Sequence, residues 1–118
     1  MNPDPPLEDV LHRAPGIRHA LVLSAEGLKV RRTGGLDAEA ADRLAAIAAG
    51  VQSLAAGASG AFGDGRGAGR SMVEFHGGVL LIVPAGAGAH LAVVAAADAD
   101  VGQVARAMDD LVRRLGAA

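Results

Sequence analysis

The stretch HGGVLLIVPAGAGAHLAVVAA, His76 to Ala96, runs for 21 residues without a lysine, arginine or carboxylate. How it divides constrains the fold more than any other segment. A helix of about 20 apolar residues can cross a bilayer, so length alone leaves a membrane anchor open. The punctuation argues against one. Gly77-Gly78 and Pro84-Ala85-Gly86-Ala87-Gly88 interrupt the run twice with turn chemistry. What remains is Val79 to Val83 and a piece from near His90 to near Ala97, each of strand length and rich in Val, Leu and Ile. A phosphate cradle fits no better. Such loops need glycine amides ahead of a helix, and the Walker version needs a Lys beside Ser or Thr. Here PAGAGAH leads into a strand, and the only lysine, Lys29, lies in another. The lack of charge therefore reports strands buried in a sheet.

The flanking chain supplies the rest of that sheet. Arg70 to His76 alternates around Met72, Glu74 and His76 and turns at Gly77-Gly78 into the Val79 to Val83 strand. Upstream, Ile17 to Ser24 is a largely apolar strand and Ala25-Glu26-Gly27 a turn. Leu28 to Thr33 is a second strand, with Leu28 and Val30 on one face and Lys29 and Arg31 on the other. Asp4 can cap a short first helix that carries Pro5 or Pro6 in its first turn and Leu7, Val10, Leu11 and Ala14 at helical spacing, ending at Pro15-Gly16. Residues 1–5 are expected to be disordered.

Gly34-Gly35 breaks the second strand, and Asp37 caps the longest helix, predicted to end near Ala56. Within it Ala40, Leu44, Ile47, Val51 and Leu54 form a seam expected to pack on the sheet. Small residues border the seam, with Ala41, Ala45, Ala48 and Ala55 on one side and Ala46, Gly50 and Ser53 on the other, so a second helix can approach closely. Gly50 inside a helix costs about 1 kcal/mol relative to Ala, and close packing is a candidate reason for it. Gly57 to Gly69 is read as an exposed, mobile connection. Asp100 caps a last helix with Val101, Val104, Ala105, Met108, Leu111, Val112 and Leu115 on one face and Arg106, Asp109, Arg113 and Arg114 on the other. The order is helix, two strands, long helix, three strands, helix, which is an α+β domain with antiparallel hairpins. At 118 residues it is one domain, 1–118.

Composition narrows the chemistry. The chain has no cysteine, so disulfides, thiolate nucleophiles and Cys-based zinc sites are excluded, and a cytoplasmic protein is expected. MNPDPPLEDV lacks the basic end and apolar run of a secretory signal. A net charge of −2, with arginines scattered and no aromatic platform beside them, argues against nucleic acid as a partner. Ten arginines against the single Lys29, with abundant Ala and Gly, fit a GC-rich bacterial genome. His12, His19, His76 and His90 fall on different elements without metal-ligand spacing. ADADVGQ, Ala97 to Gln103, lacks the oxygen ligands of a calcium loop, and helix capping explains Asp98 and Asp100 better. Ser59 sits in the glycine-rich connection, Ser24, Ser53 and Ser71 have no adjacent base, and Asp109 and Asp110 diverge on a helix. No catalytic constellation, metal site or cofactor site is expected.

Four pieces together carry a resemblance. They are ALVLSAEGLKV (Ala20 to Val30), ADRLAAIAAGVQSLA (Ala41 to Ala55), MVEFHGGVLLIVPAG (Met72 to Gly86) and HLAVVAAADADVGQVARAMDDLVRRL (His90 to Leu115). In order, spacing and chain length the sequence resembles the Roadblock/dynein light-chain domain family, in particular small bacterial members from actinobacterial operons called conservons. The resemblance implies a five-stranded antiparallel sheet in a profilin-like sandwich, the long helix on one face and the two terminal helices on the other. It also implies a homodimer through the long helix and the third strand. Arg43, Ala46, Ile47, Gly50, Ser53, Leu54, Arg70, Met72 and Glu74 are the candidate interface residues, Arg70 to Glu74 being the strand edge. The implied role is a non-enzymatic regulator that positions a small Ras-like GTPase, without direct membrane insertion. A sensor-kinase-like membrane protein is a further implied partner and could recruit the chain to the membrane. The alternative is a scaffold that joins such a kinase to other components without touching a GTPase.

Overall fold

The computed structural model describes residues 5–116, so the Asp4 cap and the first four residues of the expected disordered segment lie outside the described residues. Pro5 opens helix α1 (Pro5–Val10), where a proline with no N–H to satisfy is at home. Strands β1 (Ile17–Leu23) and β2 (Lys29–Arg32) precede helix α2 (Ala38–Phe62). Strands β3 (Ser71–Phe75), β4 (Gly78–Gly86) and β5 (Ala89–Ala95) follow, then helix α3 (Val101–Gly116). The sheet has the order β2-β1-β5-β4-β3 and every pairing is antiparallel. The last strand in sequence is thus the middle strand in space, joining the two hairpin halves.

The uncharged stretch becomes the centre of this sheet. Along β4, Leu80 and Ile82 point to the α2 side while Val79, Leu81 and Val83 point to the α1/α3 side, and all five are buried. On β5, Leu91, Val93 and Ala95 join the α1/α3 core, and Ala92 the α2 core. Strands covered on both faces need apolar residues at every position, which is why this segment reads as continuous hydrophobicity and not as alternation.

Two turns punctuate it. His76-Gly77 links β3 to β4, with Phe75 opposite Gly78 and Gly77 at φ 95°. A Cβ on Gly78 would lie 2.8 Å from the Phe75 ring and 3.0 Å from the Ala95 carbonyl oxygen, so glycine lets the ring lie across it. The second turn is shorter than PAGAG suggests, because β4 continues through Pro84 to Gly86. Ala87-Gly88 alone turns the chain, with φ values of 54° and 81° and Gly86 opposite Ala89. Positive φ at both central residues is the turn whose twist matches a tight hairpin.

Three expectations are corrected. Gly57 to Gly69 is not one mobile connection: α2 runs on to Phe62, and Gly63 closes it by donating to the Ser59 carbonyl at 2.9 Å. Alanines at 55, 56, 58 and 61 have the highest helix propensity and outweigh Gly57 and Gly60. Ser59 is therefore helical. On β2, Lys29 and Arg31 do not share a face, since a bulge between Val22 and Leu23 pairs Leu23 with Lys29 and Val22 with Arg31. Leu28 and Val30 remain 68% and 59% exposed. On α3 the buried stripe is Val104, Ala107, Met108 and Leu111, and Val101 stays outside it.

Of the expected helix caps, Asp37 and Asp100 form, and among the described residues no capping hydrogen bond reaches Asp98. Asp37 accepts from the Ala40 N–H at 2.8 Å and Asp100 from the Gln103 N–H at 3.1 Å. Asp98 is exposed. Asp9 ties α1 to α3, at 2.8 Å from Arg13 and 3.3 Å from Arg114. The Arg13 hydrogen bond holds its carboxyl below the usual range, against a smaller opposing effect of desolvation.

A candidate interaction surface on α2 and β3

Chemistry is scarce on this molecule. Among the described residues no three His, Asp or Glu side chains gather closely enough to hold a metal. His12 and His76 are exposed, and His19 and His90 are half-buried on separate strands. Burial lowers the pKa of His90, partly offset by a backbone hydrogen bond at Gly88. A shallow apolar cavity of about 200 Å³ lies between β3, β4 and the start of α3, lined by Arg70, Met72, Leu81, Val83, Val101 and Ala105. No nucleophile and base meet in it. What stands out instead is apolar surface on a long helix and on an edge strand.

Helix α2 lies on the sheet through its small residues. Ala41, Leu44, Ala45, Ala48 and Gln52 are buried, under Leu21, Leu23, Leu80 and Ile82 of the sheet. Alanine opposite leucine brings backbone and sheet close together, with large side chains on one side interlocking with small ones on the other. The expected seam is therefore split. Leu44 packs inward and Ala40 and Val51 sit at the margin, whereas Ile47 is half exposed and Leu54 is 78% exposed. Of the two small flanks, Ala41, Ala45 and Ala48 are the sheet-facing stripe. The other flank, Ala46, Gly50 and Ser53, faces outward beside Arg43. A Cβ on Gly50 would meet nothing within 4 Å, so no packing inside the protomer requires glycine there.

The helix also outruns the sheet. Its first turns touch β2, with Lys29 reaching the Ala38 carbonyl at 3.2 Å and Asp42 at 2.9 Å. At Gln52 it reaches the opposite edge, where the Ser71 hydroxyl donates to the Gln52 side-chain oxygen at 3.0 Å. Beyond Gln52 no residue of the helix is buried. Ten more residues, about 15 Å of helix, continue to Phe62, which is 93% exposed. Between Arg43 and Asp64 the chain carries no charge at all. By length and composition alone α2 is long and apolar enough to cross a membrane. A helix already seated on a sheet by one stripe, with apolar side chains on its outer face, instead has the form of an interface.

Strand β3 borders this overhang. Pairing with β4 turns Val73, opposite Leu80, and Phe75, opposite Gly78, to the α2 side, and Met72, opposite Leu81, and Glu74, opposite Val79, to the α3 side. Met72, Val73 and Phe75 are all partly or half exposed. Of the candidate residues, Arg43, Ala46, Ile47, Gly50, Ser53 and Leu54 thus share the outer half of α2. Arg70, Met72 and Glu74 lie on the far face of the sheet, where Arg70 pairs with Asp109 of α3 at 2.6 Å. The β3 backbone edge is all that the two groups have in common. Reading the sequence missed Phe62, Val73 and Phe75. The signal was present in the odd-numbered parity of β3, which a strand at the sheet edge leaves uncovered.

The sequence profile of the Roadblock/LC7 domain matches residues 7–95. Among solved structures, a Roadblock/LC7 domain from Streptomyces avermitilis is 34% identical, with a TM-score of 0.90 over 98% of this chain and 96% of that one. The gliding protein MglB from Thermus thermophilus is 23% identical, with a TM-score of 0.77 over 97% and 88%. An MglB in a tetrameric arrangement is 20% identical, with a TM-score of 0.82 over 94% and 82%. No protein of curated function matches.

Proposed function

Starting from a chain that belongs to the Roadblock/LC7 domain family, we propose that it is a non-enzymatic adaptor that pairs with itself through α2 and the β3 edge. The paired helices are then the surface offered to a small Ras-like GTPase. The observation that carries the self-pairing is the outer half of α2: Ile47, Leu54 and Phe62, on a helix that continues well past its last buried residue. A strand edge with Met72, Val73 and Phe75 uncovered lies beside it. An unpaired edge of that kind is an aggregation hazard unless a second chain covers it. A fold relative in a tetrameric arrangement, MglB, is consistent with self-association in this architecture.

The GTPase reading comes from the family resemblance and supplies no bond chemistry from this chain. The protein would act by holding the partner's own groups in place. A cytoplasmic location, and the conservon setting with its sensor-kinase-like neighbour, belong to the same proposal.

The experiment has two stages. The solution mass at micromolar concentration is expected to be twice the 11.7 kDa protomer, and a protomer mass would refute self-pairing. Purified small Ras-like GTPases from the same genome are then loaded with GDP or a non-hydrolysable GTP analogue and titrated against the dimer. Binding that depends on nucleotide state is the expected result. Retention of a sensor kinase, with no GTPase binding in either state, would replace the regulator with a scaffold.

A further inference from the structure

The α3-side face of β3 carries a charge pattern that fits a second copy of itself. Arg70, Met72 and Glu74 alternate along this face. Met72 and Glu74 are placed there by their pairing with Leu81 and Val79, and Arg70 by its contact with Asp109 of α3. A cation stands at one end, a carboxylate at the other and an apolar side chain between them. Arg70 and Glu74 are both exposed, and Glu74 has no ion-pair partner among the described residues.

We infer that two β3 strands pair antiparallel about a two-fold axis at Met72, so that Arg70 of each protomer faces Glu74 of the other. This rests on the reading of β3 as the self-pairing edge and adds its register. An isologous interface is self-complementary only when each group meets its complement across the axis. A pattern of plus, apolar, minus meets that condition when its centre lies on the axis. Met72 then lies against its own copy, and two identical Arg–Glu pairs flank it. Moving the axis to Glu74 would oppose the two carboxylates, and like charges directly across a strand pair destabilise it. A parallel arrangement in register would oppose arginine to arginine and glutamate to glutamate. Asp109 adds to the device, because it sits behind Arg70 and holds the guanidinium on the α3 face of the edge. The result is a recognition code for an identical strand and against a related strand whose charges are reversed or absent.

The test is complementation by mixing. Arg70→Glu alone sets a new carboxylate opposite Glu74 twice in its homodimer, and Glu74→Arg alone sets a new guanidinium opposite Arg70 twice. Each is expected to weaken self-association by about tenfold or more in sedimentation equilibrium. Mixed together, the two variants form a heterodimer in the proposed register. In that register the Arg70→Glu chain carries carboxylates at both positions and the Glu74→Arg chain carries guanidinium groups at both, so both facing pairs are of opposite charge. The dissociation constant of this heterodimer is expected within about threefold of wild type. Circular dichroism confirms that each variant is folded, and Arg70→Asp with Glu74→Lys is the second pair should either fail. Single variants that associate as tightly as wild type, or a mixture no tighter than its components, overturn the register while wild type remains a dimer. A wild-type protomer mass overturns the self-pairing itself.

Discussion

The two edges of the sheet differ in kind. Strand β2 spans only four residues, three of them cationic, and a bulge interrupts its register with β1. Lys29 at its start is tied to Asp42 of α2. Short length, lysine and arginine, and a bulge are the devices by which sheets protect an edge from further pairing. Strand β3 has five residues in unbroken register with β4, one charge, and three apolar side chains open to solvent. One edge is closed by its own sequence and the other is left to be closed by something else. Leu28 and Val30 are also exposed at β2, but there no long apolar helix overhangs the edge as α2 does near β3.

The largest expected effect tests that asymmetry directly. Leu54→Asp replaces a side chain that is mostly exposed in the protomer, so the protomer should stay folded. In a two-fold interface the loss is counted twice. Burying one leucine contributes about 1.5–3 kcal/mol, so self-association should weaken by roughly two to four orders of magnitude. Val30→Asp at the other edge should leave the dissociation constant unchanged. Equal effects at both sites would erase the distinction between the edges.

A gain of function sharpens the same contrast. Lys29→Thr with Arg31→Thr removes two of the three cations from β2 while Leu28 and Val30 stay in place. If charge is what closes this edge, species larger than the dimer should appear in sedimentation velocity, at concentrations about tenfold below any at which wild type forms them. A profile that keeps a single dimer boundary would assign the protection to the bulge and the short length alone. The Lys29–Asp42 ion pair is largely solvent-exposed on the Asp42 side, so its loss should cost under about 1 kcal/mol of protomer stability.

Much of this architecture is legible in the residues themselves. The doubly covered strands announce themselves as uncharged runs, and the glycine pairs and capping aspartates mark the ends of elements. What stays hidden are choices of face. Leu44, Ile47 and Leu54 look like one stripe, yet the sheet's α2 face presents large leucines and an isoleucine, which fit best against the alanine side of the helix. The sequence of α2 does not state what it will lie upon. The helix end is hidden for a local reason, because Gly57 and Gly60 suggest a break while the alanines around them favour continuation. Val73 and Phe75 escape notice because the even residues of β3 carry the polar alternation. Which parity remains uncovered is decided by strand order, a long-range property.

A third change should move the protomer and leave both edges alone. Ala87 is the one non-glycine residue with positive φ among those described, at a turn position that favours asparagine or glycine. Ala87→Asn should raise the unfolding free energy by about 0.5–1 kcal/mol, read from the denaturation midpoint. The dimer dissociation constant should not change. A shift in both would mean that the β4–β5 turn communicates with the β3 edge.

The smallest effect concerns pH and the same central strands. His90 lies near the start of β5, between Leu23 of β1 and Pro84 of β4 in the sheet register. Desolvation there favours the neutral ring, so its pKa in the folded protein lies below the ordinary value. When the folded pKa of a histidine is depressed, the unfolded chain takes up its proton first as pH falls. Unfolding is then progressively favoured below about pH 6.5. Above that pH the ring is neutral in both states and contributes no slope. At a pH below the folded pKa both states are protonated, and the penalty stays at its full size. Thermal midpoints measured from pH 7.5 down to 5 should therefore decline, and His90→Gln should flatten part of that decline. If His90→Gln leaves the decline as steep as in wild type, the pH dependence does not arise where β5 lies between β1 and β4.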